Sequence, residues 1–138
     1  MLWPMRHRGN KDEGASAVEF ALVSFVLVLL LFGIIQFGYL FFQWLEVTHA
    51  AREGVRWAAL GRPAPEVVLK AQEAAPGLNW VGNGTVTVAP AAVRTPGNPV
   101  TVTVTYRTPM FAPLMQNIFR VGNATTFTLR SAAVQRIE

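Results

Sequence analysis

Residues 20–45 read FALVSFVLVLLLFGIIQFGYLFFQWL, and apart from Tyr39 the polar side chains among them are Ser24, Gln36 and Gln43. The run is about 26 residues, roughly 39 Å of helix at 1.5 Å per residue. A bilayer core needs about 20 apolar residues. The run is therefore long enough to cross a membrane and leave it still helical. Glu19 is a single carboxylate at its near end, behind a short polar leader that carries Arg6, Arg8 and Lys11. At the far end Tyr39, Phe41, Phe42 and Trp44 form the aromatic belt expected where a helix leaves lipid.

Two other readings of the run need weighing. A secretory signal has an apolar region of about 7–15 residues followed by a small-x-small cleavage site. This run is longer, and the nearest such site, Thr48-His49-Ala50, lies beyond it. A helix-dimer motif would space glycines by four, whereas Gly33 and Gly38 are spaced by five. A single span remains. Its leading basic residues hold the N-terminus in the cytoplasm by the positive-inside tendency, against Arg52, Arg56 and Arg62 on the other side.

Beyond the span the period changes twice. Val47, Ala50, Ala51, Gly54, Val55, Ala58 and Ala59 recur at spacings of three and four, a stripe of small residues that continues the helix to about Leu60. Gly61 and Pro63 stop it. Such a stripe lets another element approach closely. The expected occupant is this chain's own sheet, since amphipathic helices usually cover their own core; a neighbouring subunit's helix is the alternative. Residues 65–75 read as a short second helix, with Pro65 at its first position, Glu66 in its first turn and Pro76-Gly77 ending it.

Alternation follows. Gly82-Asn83-Gly84 is a turn before Thr85-Val86-Thr87-Val88, and a second turn occupies residues 95–99. Val100, Val102, Val104 and Tyr106 then share one strand face, with Thr101, Thr103 and Thr105 on the other. Residues 113–119 suggest a helical turn or two, and Gly122-Asn123 a further turn. A third strand over residues 125–135 places Phe127 and Leu129 on one face. Three short antiparallel strands with one apolar face need a cover, and the helix over residues 44–60 supplies it. The expected fold is α+β, a long N-terminal transmembrane helix running into an amphipathic helix packed on a small antiparallel sheet.

Composition narrows the function classes. The 138 residues include no cysteine, so disulfides and thiolate metal sites are excluded. The net charge of +4 is spread thinly, without a basic stripe interleaved with aromatics, so nucleic acid is not an expected partner. His7 and His49 are far apart, and no convergent set of polar groups marks a catalytic, cofactor or metal site. No small-molecule substrate is expected either. Asn83-Gly84-Thr85 and Asn123-Ala124-Thr125 fit the glycosylation pattern but lie in expected turns, where Asn and Gly are common for conformational reasons.

One motif remains. Gly14-Ala15-Ser16-Ala17-Val18-Glu19-Phe20 is a glycine, four residues, then Glu-Phe opening a long apolar helix. The chain here resembles the type IV pilin superfamily, and more closely the TadE-like pseudopilins of the tight-adherence (Flp) pilus machinery. That family shares the Gly-Ala-x-x-Val-Glu-Phe-Ala-Leu opening and a Leu-rich run into Phe-Gly. Its Ala-Ala-Arg-Glu-Gly-x-Arg-x-Ala block stands here as Ala50-Ala51-Arg52-Glu53-Gly54-Val55-Arg56-Trp57-Ala58. The likeness covers residues 13–62, and Gln36 stands where the family often carries an acid.

The resemblance implies a pilin-like arrangement without catalysis. Residues 1–14 would be a prepilin-type leader, 15–45 the membrane helix, and 46–138 a small extracytoplasmic α+β domain. It implies cleavage between Gly14 and Ala15 by a prepilin peptidase, and assembly roles for Glu19 and Phe20. The partners would be that peptidase, other pilin-like subunits and the pilus machinery. The location would be the bacterial inner membrane, or a surface pilus, with the domain in the periplasm. The chemistry agrees. A strand lying close against a protease backbone favours glycine at the cut, and the freed amine of Ala15, titrating near pH 8, would be largely cationic one helical turn from Glu19. The competing expectation is an unprocessed single-span protein that presents a small periplasmic ligand-binding domain.

Overall fold

A computed structural model of the chain describes residues 10–91, 95–109 and 126–138. Two helices and three strands follow one another as α1 (Asn10–Ala59), α2 (Ala64–Glu73), β1 (Gly84–Ala89), β2 (Pro99–Pro109) and β3 (Thr126–Arg136). This is the expected α+β class. The chain divides into two compact units, Met1–Ile35 and Gln36–Glu138, and α1 contributes to both.

In the first unit α1 stands with its apolar side chains bare. Phe20, Leu22, Val23, Val26, Leu27 and Leu30 are all exposed, Phe20 at 74%. No proline interrupts the 50-residue helix, and it contains a stretch long and apolar enough to cross a membrane.

The second unit is built on the small-residue stripe. Val47, Ala50, Ala51, Gly54, Val55, Ala58 and Ala59 of α1 are buried. They pack in one cluster with Val67 and Ala71 of α2, and with Val100, Val102, Val104 and Tyr106 of β2. The approach is close. A methyl group placed on Gly54 would lie 3.0 Å from Val102 Cγ1 and 3.1 Å from Ala71 Cβ. The stripe is thus occupied from within the chain, as the sequence suggested.

The helix stops where expected, and the backbone shows how. Gly61 takes φ +72°, a conformation that side chains with a Cβ avoid. Its N–H donates to Ala58 C=O at 3.1 Å, and that of Arg62 donates to Trp57 C=O at 3.4 Å. The last carbonyl, of Ala59, accepts from the N–H of Glu138 at 3.0 Å, which ties the end of the chain to the end of α1. Pro63 then sits at the N-cap of α2 in extended conformation, and α2 starts one residue before the expected Pro65 and ends at Glu73 rather than residue 75.

The sheet has the order β1-β2-β3 with both pairs antiparallel. Val88 faces Val102 and Val86 faces Val104 across the first pair; Ala133 faces Val102 and Leu129 faces Tyr106 across the second. In β2 burial alternates over its whole length, with Val100, Val102, Val104, Tyr106 and Thr108 inside. The two outer strands are less well covered. Phe127 shares the face of Leu129 as expected, but near the end of β3 it is 43% exposed. The expected helical turn at residues 113–119, the turn at Gly122-Asn123 and the pattern at Asn123-Ala124-Thr125 lie outside the described residues.

Candidate functional site

The candidate site is the N-terminal part of α1. The helix is described from Asn10, so it takes in Gly14 as well as Ala15, where the expected membrane helix starts. A peptide bond in a helix is not presented in the extended form that a protease backbone pairs with. Cleavage at Gly14–Ala15 therefore requires local unwinding. Gly14 eases that step, since glycine lowers helix stability by about 1 kcal/mol relative to alanine. A methyl group on Gly14 would meet no atom within 4 Å.

Glu19 and Phe20 follow on the same uninterrupted helix. Ala15 and Glu19 are four residues apart and share a face. Both Glu19 and Phe20 are exposed, and Glu19 has no ion-pair or hydrogen-bond partner among the described residues. Ser24, the next polar side chain along the helix, donates to Ala21 C=O at 3.0 Å. The four residues named from the sequence thus lie within two helical turns, with a carboxylate at the edge of an exposed apolar surface.

The second unit carries a groove of about 370 Å³ lined by His49, Glu53, Trp57, Lys70, Glu73 and Ala74. Its polar groups are engaged with one another. Trp57 Nε1 donates to Glu53 Oε1 at 2.9 Å, and Arg56 approaches the same oxygen at 3.8 Å. His49 Nδ1 lies 3.0 Å from Ala74 C=O at the end of α2. Lys70 Nζ sits 5.4 Å from the Trp57 ring centroid and donates to Glu73 Oε2 at 2.7 Å. That hydrogen bond, with the Glu73 charge behind it, raises the Lys70 pKa above its ordinary value near 10.5. Arg62 stacks on Trp57 at 5.9 Å. The cluster clamps α2 to α1. Among the described residues no three His, Asp or Glu side chains gather where a metal ion could sit.

Sequence reasoning missed this clamp. Glu53 and Arg56 were legible as neighbours on α1, but the partners of Trp57 and His49 come from α2 and its far end, 25 residues away in the case of His49. It also missed Gln43. Read as one polar residue in an apolar run, it is 1% exposed, and neither its amide nitrogen nor its oxygen has a hydrogen-bond partner among the described residues. Its isolation among apolar residues was the available signal.

Residues 14–56 match the model of the family described as TadE-like protein. The match takes in the first block that carries the resemblance, from Gly14, and the second as far as Arg56. No curated protein matches the chain, and no solved structure does.

Proposed function

We propose that this chain, TadE-like over residues 14–56, is a non-enzymatic, pilin-like minor pseudopilin of a tight-adherence (Flp) pilus assembly machine. The family that residues 14–56 match is pilus-associated, and the one such apolar helix among the described residues fits a single-pass membrane protein. In this reading a prepilin peptidase removes residues 1–14 at the cytoplasmic face of the inner membrane. The helix over residues 15–45 then holds the subunit in the membrane, with residues 46–138 in the periplasm. Other pilin-like subunits are its partners, through Glu19 and Phe20.

The observation that carries the reading is a coincidence of features in one helix. A glycine with open space around it at Gly14, a carboxylate at Glu19 and an aromatic at Phe20 come together where a long, bare apolar surface begins. A helix that served only as an anchor needs the apolar surface but not the other three.

The test is the N-terminal sequence of protein extracted from native membranes. The mature chain is expected to begin at Ala15, and Gly14→Trp to leave a band heavier by the leader. Wild-type protein that keeps residues 1–14 would refute processing and favour the unprocessed single-span alternative.

A further inference from the structure

Charge returns to α1 at Glu46, the first carboxylate after Glu19, and large apolar side chains stay exposed up to Leu45. If α1 spans a membrane, as the proposed function holds, its outer boundary falls at this turn. The segment between α2 and β1 is fastened to the same turn. Glu46 Oε2 accepts the N–H of Gly77 at 3.2 Å. The Phe42 ring lies over Gly77 so closely that a methyl group there would come within 2.8 Å of its Cζ.

The rest of the segment is internally braced. Trp80 Nε1 donates to Ala75 C=O at 3.1 Å, and Asn79 N–H donates to Tyr106 Oη at 3.2 Å. The N–H of Gly84 returns to Trp80 C=O at 3.2 Å, closing a turn around Val81 and Gly82. Arg107 N–H donates to Asn83 C=O at 2.8 Å, which brings a basic residue to the same end of the sheet. Within this braced turn Val81 is 87% exposed, although it is fully apolar. Several hydrogen bonds thus hold the backbone on either side of an apolar side chain that is almost wholly exposed.

We propose that this turn is a second membrane contact, with Val81 resting in the headgroup–acyl boundary of the bilayer beside Phe42, Trp44 and Leu45. The domain is then seated on the lipid surface at two points rather than tethered at one. The occupant is lipid because the segment that carries the turn is bonded through Gly77 to the part of α1 where the apolar surface ends. The inference rests on the reading of α1 as a membrane span.

The chain has no cysteine, so single labels can be placed cleanly. Full-length protein in vesicles of phosphatidylethanolamine and phosphatidylglycerol is spin-labelled at Val81→Cys, Leu30→Cys or Thr87→Cys. Relaxation by oxygen, which concentrates in lipid, is compared with relaxation by a water-soluble nickel chelate. Oxygen should dominate at Leu30 and at Val81, and the chelate at Thr87, an exposed position on β1. A Val81 label as chelate-accessible as Thr87, with Leu30 in lipid, would overturn the seat and leave the span intact. A Val81 label shielded from both reagents would mean that protein covers the turn, and would overturn the seat as well. A chelate-accessible Leu30 would overturn the span and the seat together.

Discussion

Gly54 is the position where the close packing of the second unit can be tested by one methyl group at a time. Its missing side chain faces Val102 Cγ1 at 3.0 Å and Ala71 Cβ at 3.1 Å. Carbon atoms in favourable contact sit about 3.5–4.0 Å apart, so both neighbours must retreat by roughly half an ångström to admit even alanine. Neither can do so by a rotamer change alone. Ala71 has none, and Val102 is fully buried in the central strand. Alanine would gain about 1 kcal/mol in helix propensity against an overpacking cost of about 1–3 kcal/mol, so Gly54→Ala should be neutral to mildly destabilising. Gly54→Val adds two more methyl groups and gives back most of the propensity gain. It should cost about 3 kcal/mol, or a fall in Tm of about 15 °C at 4–8 °C per kcal/mol for a domain of this size. The assay is thermal unfolding of the full chain in detergent, followed by near-ultraviolet circular dichroism. That signal reports the edge-on contact of Trp80 with Tyr106, 6.4 Å between centroids. Gly38→Val is the control, since a methyl group there meets nothing within 4 Å, and its Tm should stay within a few degrees of wild type. If Gly54→Val melts no lower than Gly38→Val, the packing of α1 on β2 is not as described.

Two further substitutions probe other parts of the same unit. Gln43→Met replaces a buried, unpartnered amide by an apolar chain of similar size and should raise stability by about 1–2 kcal/mol in the same unfolding assay; a loss would mean that the amide is satisfied after all. Gly61→Ala places a Cβ at φ +72° and should cost about 1–2 kcal/mol, read as a lower Tm, and an unchanged Tm would show that the end of α1 does not depend on that turn.

The parts of the fold legible in the sequence were those governed by local period and punctuation. The stripe from Val47 to Ala59 named its own face because small residues at spacings of three and four have no other use in a helix that must approach a sheet. Val100, Val102, Val104 and Tyr106 did the same for the central strand by alternation. Gly61 and Pro63 marked a stop whose hydrogen bonds could then be found. What escaped depended on distance along the chain or on position within the sheet. Phe127 satisfies the alternation of β3, yet near the end of an outer strand it lies half uncovered. The clamp at Trp57 needs Lys70 and Arg62 brought back by the bend at Gly61, which no local pattern encodes. The start of α1 was hidden for the opposite reason. A glycine weakens a helix without ending it, and between Asn10 and Ala15 there is no proline, so the helix runs through the junction at Gly14. In the candidate site the residue types were legible. The extension of their helix back through Gly14 to Asn10 was not.

That setting sharpens what Glu19 can do. The small-residue stripe is taken up by α2 and β2 within the chain, so it is not free to recognise a neighbouring subunit. What α1 offers to other helices is the exposed surface of residues 18–45. That surface is built of Leu, Val, Ile and Phe, which are nearly interchangeable as packing ridges. Two such helices could slip by one turn, 5.4 Å, and lose little apolar contact. A charge does not tolerate the slip. In a dry bundle of processed subunits, Glu19 of one chain can pair with the freed amine of Ala15 on the next. In a slipped register both charges stay buried and unpaired, at a cost of about 3–5 kcal/mol, roughly a hundredfold or more in association. Glu19→Gln should therefore insert and be cleaved normally, yet fail to co-purify with other pilus subunits. Glu19→Asp, with its charge kept and its reach shortened, should fall between. Co-purification and piliation at wild-type levels by Glu19→Gln, expressed at native level, would refute the register role. An uncleaved Glu19→Gln would place the carboxylate in recognition by the peptidase instead.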